Sequence, residues 1–214
     1  MDVKTFDKYE KRGTYHWDWY ASNHHGYADK VDLILSQLPN NGTVLDIGGG
    51  DGLISYKAFE KGLTVTCIDS NEHAIQLAQR KFEEQIYRNS LSRLMRNMLH
   101  DLRLWQSPKI TRYQNGEVNL IAASIFDLKI DQPFDFIVCH EVIEHIQEPK
   151  RLLDFIYSNI KQFAIISTPD VTNRPPHELD YHSWTAASFA EFLSGYNFEF
   201  LIQDGYDIYV KLYN

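Results

Sequence analysis

Two short stretches carry residue types and spacings that could do chemistry. In Asp46-Ile47-Gly48-Gly49-Gly50-Asp51-Gly52, glycines stand at alternate positions after an acid. Glycine allows a tight turn and lets a ligand reach the backbone with no Cβ in the way. A helix opening directly after such a loop presents free N–H groups to an electron-rich ligand. Asp69 ends the next apolar run, where a carboxylate can accept hydrogen bonds from two ribose hydroxyls. The Gly48-x-Gly50-x-Gly52 spacing differs from the Gly-x-Gly-x-x-Gly dinucleotide fingerprint and implies a nucleoside-type ligand. The second stretch is Cys139-His140-Glu141-Val142-Ile143-Glu144-His145-Ile146. A helical conformation would put Glu141, Glu144 and His145 at i, i+3 and i+4 on one face. Two carboxylates and an imidazole at the carboxyl edge of a sheet suit a divalent cation, whether Mg2+, Mn2+ or Zn2+. The same residues can equally cap and pack. The stretch is not a His-Glu-x-x-His zinc motif, because Glu144 lies four residues after His140.

The elements around these residues follow a strand–helix alternation. Residues 28–38 space Val31, Ile34, Leu35 and Leu38 at helical intervals, and Pro39-Asn40-Asn41-Gly42 ends that helix. Apolar runs over 43–47, 63–68, 119–123, 134–139 and 163–167 read as five buried strands, with helices over 53–61, from 71, and over 149–160. Residues 198–202 and 206–212, joined at Asp204-Gly205, read as an antiparallel hairpin. The expected fold is α/β: a Rossmann-like, seven-stranded, mostly parallel sheet with helices on both faces and a C-terminal antiparallel hairpin. The chain reads as one domain over 1–214, with an aromatic cap over 1–27 that includes Tyr15, His16, Trp17, Trp19, Tyr20, His24 and His25. For Trp17, Trp19 and Tyr20, packing of the first helix and stacking on a substrate are both open.

Between the second and third strands lie about fifty residues, more than a simple crossover needs. A helical insertion over about 83–116 accounts for them. It carries Arg88, Arg93, Arg96, Arg103, Lys109 and Arg112, which form either a solvated face or a cationic lid for an anionic, phosphorylated or nucleotide-linked substrate. The formal charge of −8 argues against a general nucleic-acid coat. No apolar run is long enough to cross a bilayer, and no signal-peptide pattern opens the chain. The two cysteines, Cys67 and Cys139, sit inside apolar runs as small core residues and suit a reducing cytoplasm.

With the glycine loop, Asp69 and the Glu-x-x-Glu-His pattern in place, the chain resembles the class I S-adenosylmethionine-dependent methyltransferases over roughly residues 28–214. The resemblance implies S-adenosylmethionine as cofactor. Asp46 would hold its amino-acid end, Gly48, Gly49, Gly50 and Gly52 would form the loop, and Asp69 would bind the ribose. Ser70, Ser124 and Ile125 would lie beside the adenine, with Ser124 where the family usually has an acid, and His140 would face the same ligand. Glu141, Glu144 and His145 are similar to the metal ligands of the ubiquinone-pathway O-methyltransferases and the small-RNA 3′-terminal 2′-O-methyltransferases. His182, with His177 in the same loop, is the downstream histidine that would complete that set. Without a metal, His145 or His182 would take the acceptor proton and Glu141 would orient it. The implied activity is O-methylation of a small hydroxylated metabolite (sugar, polyketide or quinone type). The alternatives are RNA 3′-terminal 2′-O-methylation, and a cofactor-binding interaction subunit that has lost catalysis.

Overall fold

The computed structural model describes residues 8–90, 110–113 and 116–214. Three short helical segments open the chain: α1 (Lys8–Arg12), α2 (Tyr15–Ser22) and a 3-10 turn at His24–Gly26, followed by α3 (Tyr27–Gln37). Strands and helices then alternate: β1 (Thr43–Ile47), α4 (Leu53–Glu60), β2 (Thr64–Asp69) and α5 (Glu72–Ser90). After β3 (Ile110–Tyr113), β4 (Gly116–Ala122) and β5 (Phe134–His140) come α6 (Pro149–Asn159), β6 (Ile160–Pro169) and α7 (Ala186–Phe192). The chain closes on β7 (Asn197–Gln203) and β8 (Asp207–Tyr213).

These strands form one sheet in the order β3-β4-β2-β1-β5-β6-β8-β7. β4, β2, β1, β5 and β6 run parallel, and β8 and β7 return antiparallel as the terminal hairpin. Consecutive residues of β1 face opposite sides: Val44 packs with Ile34, Tyr56 and Phe59, and Leu45 packs with Leu152, Ile156 and Phe189. A parallel strand buried on both faces reads as an unbroken apolar run, which is why the sequence pattern located β1, β5 and β6. The seven expected strands are all present.

The eighth strand lies in the stretch expected to be a helical insertion. α5 continues through 83–90, but Ile110–Tyr113 pairs antiparallel with β4 at the sheet edge. Ile110, Thr111 and Tyr113 are β-branched or aromatic, and Asn115-Gly116 is a hairpin signal, so local preference favours strand here. Arg93, Arg96, Arg103 and Lys109 lie outside the described residues, so the cationic-lid expectation falls largely there. Among the described residues, no helix is long and apolar enough to cross a membrane.

The edges that matter for function are the carboxyl ends of β1, β2, β4 and β5, where parallel α/β sheets place their ligands. Thr43 fixes the opposite end of β1: its N–H and hydroxyl donate to Asp135 Oδ2 at 2.8 and 2.9 Å, and its Oγ1 accepts from the Asp135 N–H at 3.0 Å.

Candidate active site

A cavity of ≈ 1510 Å³ runs along those carboxyl ends, lined on one side by Asp46, Gly48, Gly49, Asp69, Ser124 and Ile125, and on the other by Glu141, Glu144, His145 and Asp180. Its floor begins with the glycine loop. Gly48, Gly50 and Gly52 have φ of +67°, +56° and +79°, a left-handed region that side chains with a Cβ rarely adopt. The glycine N–H groups of the loop turn inward. Gly48 and Gly49 both donate to the Ile68 carbonyl (2.8 and 3.2 Å), Gly50 donates to Asp69 Oδ2 (3.0 Å), and Gly52 donates to the Gly49 carbonyl (2.9 Å). A Cβ on Gly49 would meet Cys67 Sγ at 2.4 Å, so the loop lies directly on β2.

The two acids expected at the cofactor sit at the floor. Asp46 is buried, accepts from the Ser55 hydroxyl at 2.6 Å, and is pushed by that burial up to about 7. Asp69 is raised by burial, although the N–H groups of Asn71 and Gly50 hold it down in part. Ser70 and His140 line the cavity as well. Burial lowers His140 to about 3, and its Nδ1 is 2.6 Å from Ser167 Oγ. The Ser124 hydroxyl accepts from the Phe126 N–H at 3.3 Å and caps the turn Ile125–Asp127, which brings Asp127 to the wall of the cavity.

The second stretch does not form the expected helical face. β5 ends at His140, Glu141 takes φ +54°, and a single 3-10 turn covers Ile143–His145. A positive φ away from glycine is strain of about 1–3 kcal/mol that the surroundings must hold in place. Here the Glu141 N–H is held at the Ser167 carbonyl and hydroxyl, each at 3.2 Å. Glu141 and Glu144 still reach the same cavity. Burial first, then mutual repulsion for Glu144, raises both carboxyls, Glu141 to about 7. His145 lies between Glu144 (3.8 Å) and Asp180, whose Oδ1 is 3.2 Å from His145 Nδ1. Burial lowers His145 to about 4, which keeps the imidazole neutral near pH 7.

A metal was the chemistry expected of these donors, and their arrangement does not fit one. Glu141 Oε2 is turned to Arg174 Nη2 at 3.6 Å, and His145 Nδ1 faces Asp180 and the Leu179 carbonyl. Among the described residues, no three His, Cys, Asp or Glu side chains are placed to hold a metal ion. His182 is not brought to them. Its Nε2 is 3.1 Å from the Gln147 carbonyl, its ring stacks on Trp184, and it is absent from the cavity wall, where His177 stands instead.

The roof is formed by the segment expected as an aromatic cap, in which no single residue had been given a role at the cofactor. α1 and α2 cover the loop, with the Tyr9 hydroxyl against Gly50, where a Cβ would come within 2.0 Å of it. Asp51, fully buried, accepts from the His16 N–H (3.0 Å), lies 3.1 Å from His16 Nδ1, and through its carbonyl accepts from Trp17 Nε1 (2.9 Å). Its carboxylate thereby caps α2, whose own N-cap Thr14 makes no side-chain bond. Lys8, His16, Tyr27, Arg174 and Asp180 complete the wall. The density of aromatics and histidines over 15–27 was the one sequence signal for any of them.

A family model described as "Methyltransferase domain" matches residues 20–203. The chain belongs to this methyltransferase family. S-adenosylmethionine is accordingly the cofactor that the floor and roof have to seat. Among relatives, the methyltransferase is 24% identical over 188 residues to a ubiquinone biosynthesis O-methyltransferase of Rickettsia felis, covering 81% of this chain and 64% of that one. It is 23% identical over 166 residues to the mitochondrial ubiquinone biosynthesis O-methyltransferase of Schizosaccharomyces pombe, covering 74% and 50%. The methyltransferase thus spans less than two thirds of the length of these curated relatives. Its fold matches the crystal structures of magnesium protoporphyrin IX methyltransferase from Synechocystis PCC 6803. With S-adenosylmethionine bound, the TM-score is 0.61 at 17% identity, covering 100% and 98% of the two chains. With S-adenosylhomocysteine bound, it is 0.66 at 16% identity, covering 97% of each.

Proposed function

We propose that this S-adenosylmethionine-dependent methyltransferase acts on a hydroxyl oxygen of a small polar acceptor of the sugar, polyketide or quinone-precursor type. The observation that carries the proposal is one cavity holding both the glycine-loop floor and the His145–Asp180 pair. The sulfonium already activates the methyl group, so the protein has to align the acceptor in line with it and exclude water. His145, neutral and held at Nδ1 by the Leu179 carbonyl with Asp180 beside it, takes the hydroxyl proton. The oxygen lone pair then bonds to the methyl carbon, and the carbon–sulfur electrons stay on sulfur. Glu141 and Glu144 present carboxyls to the remaining hydroxyls of the acceptor. No divalent cation enters this scheme, because among the described residues no three His, Cys, Asp or Glu side chains are placed to hold one. The relatives named for ubiquinone biosynthesis O-methylation support oxygen as the nucleophile, and two buried thiols support a reducing cytoplasm as the setting.

The test is S-adenosylhomocysteine release from S-adenosylmethionine with a catechol, a hexose, a hydroxy acid, a primary amine and a single-stranded RNA as acceptors. Turnover of a hydroxylated small molecule is expected. His145→Ala should lower kcat by about 10²–10⁴-fold while S-adenosylhomocysteine affinity stays within about twofold. Turnover confined to the amine or to RNA, or an unchanged kcat in His145→Ala, would refute the proposal.

A further inference from the structure

The roof has a polar centre that neither the donor floor nor the acceptor pocket explains. His16 projects from α2 into the cavity and is fixed from several sides. Its backbone N–H and its ring Nδ1 both meet the fully buried Asp51 carboxylate, and its face stacks on Tyr27 at 5.4 Å and 15°. Nε2 is the ring atom left over, with no hydrogen-bond partner among the described residues. The ring stands close enough to Asp46, Asp69 and His140 for its charge to act on all three. That places it over the meeting point of β1, β2 and β5.

We propose that His16, oriented by Asp51, binds the carboxylate of the methionyl end of the cofactor. The inference rests on S-adenosylmethionine being the donor. That molecule carries a carboxylate at the end opposite its adenine, and a carboxylate taken out of water needs donors. The glycine loop does not supply them from Gly48, Gly49, Gly50 or Gly52, because each of those N–H groups is already donated within the protein. The lysines and arginines on the cavity wall are committed elsewhere. Lys30 holds Asp207 at 2.6 Å, Arg174 faces Glu141 and Asp207, Arg151 faces Glu148, and Lys8 feels Asp180, Glu141 and Glu144 on the acceptor side. His16 is the histidine of the wall that stands beside Asp46 with a ring nitrogen turned to Asp51. Set between Asp51 at Nδ1 and the cofactor carboxylate at Nε2, the ring turns one nitrogen to each.

Titration calorimetry with two ligands separates this role from mere support of the roof. S-adenosylhomocysteine carries the amino-acid end, and 5′-methylthioadenosine has the same nucleoside and thioether without it. In His16→Ala, affinity for S-adenosylhomocysteine should fall about tenfold or more, while affinity for 5′-methylthioadenosine stays within about twofold. His16→Gln, whose amide can donate in place of Nε2, should recover part of the loss. A parallel fall for both ligands would assign His16 to packing alone and overturn the proposal, as would unchanged S-adenosylhomocysteine affinity in His16→Ala. Failure of the wild-type protein to bind either ligand would instead overturn the donor assignment, and this proposal with it.

Discussion

Gly49 offers the sharpest test of how the floor of the cofactor site is built. Its φ is not in the left-handed region, so alanine there meets no backbone penalty and the cost is purely steric. The added methyl would lie 2.4 Å from Cys67 Sγ and 2.9 Å from Asp46 Oδ2, where relaxed contact needs about 3.5–4.0 Å. Both neighbours are buried on central strands and have little room to yield. Gly49→Ala should therefore cost about 2–3 kcal/mol, the upper part of the overpacking range. Cys67→Ala removes the sulfur and should cost about 1 kcal/mol by itself. Independent effects would sum to about 3–4 kcal/mol, but the double variant no longer has the sulfur clash and keeps only the Asp46 contact. Its expected cost is about 2 kcal/mol, a coupling of roughly 1.5 kcal/mol between residues eighteen apart in sequence. Urea unfolding of the four proteins measures the cycle. S-adenosylhomocysteine titrations of the same four should show affinity lost in Gly49→Ala and partly regained in the double variant, as Asp46 returns toward its place. Additivity within about 0.5 kcal/mol would show that the loop does not rest on Cys67 as described.

Two further outcomes concern pH and have opposite signs. Asp46 is raised by burial to about 7, so its contribution to stability is full below its unfolded value near 3.8 and is lost as pH rises through 7. Without ligand, the stability of the wild type relative to Asp46→Asn should therefore fall by up to about 4 kcal/mol between pH 4 and pH 8; denaturant midpoints across that range check it, and a constant difference would refute it. Asp135 is held low, mainly by the Thr43 N–H, so its contribution is present above its unfolded value and lost as pH falls through the depressed one. Asp135→Ala should be about 1–2 kcal/mol less stable than wild type at pH 7, and the gap should narrow as pH falls below the unfolded carboxyl value of 3.8, measured by the same unfolding curves. A gap of constant size down into acid would mean that the charge held by Thr43 is not what Asp135 contributes.

The sheet was legible because its central strands are buried on both faces and so leave continuous apolar runs, as in Phe136-Ile137-Val138-Cys139. The glycine loop and Asp69 were legible because a positive φ at Gly48, Gly50 and Gly52 demands a particular residue type. The pairing of Asp51 with His16 was not. It joins positions 35 apart through one carboxylate and leaves no periodic trace. Glu141, Glu144 and His145 were read on a helix because their spacing allows one. The backbone instead turns left-handed at Glu141, held by Ser167 from the neighbouring strand, a tertiary contact that local spacing does not encode. The inward turn of the Gly48 and Gly49 N–H groups was hidden for the same reason, since their acceptor, the Ile68 carbonyl, belongs to another strand.

The placement of the two cysteines gives the molecule a built-in clock. Cys67 lies beneath Gly49 and Cys139 near the end of β5; both are fully buried, and burial pushes both thiols up, away from the reactive thiolate. A thiol reagent can reach Cys67 only when the loop lifts from β2, and Cys139 only when its strand is laid bare. The rate at which each sulfur is captured therefore counts openings, one at the cofactor floor and one in the core. Where the two rates differ, their ratio gives how often the cofactor bed comes apart while the rest of the protein stays folded.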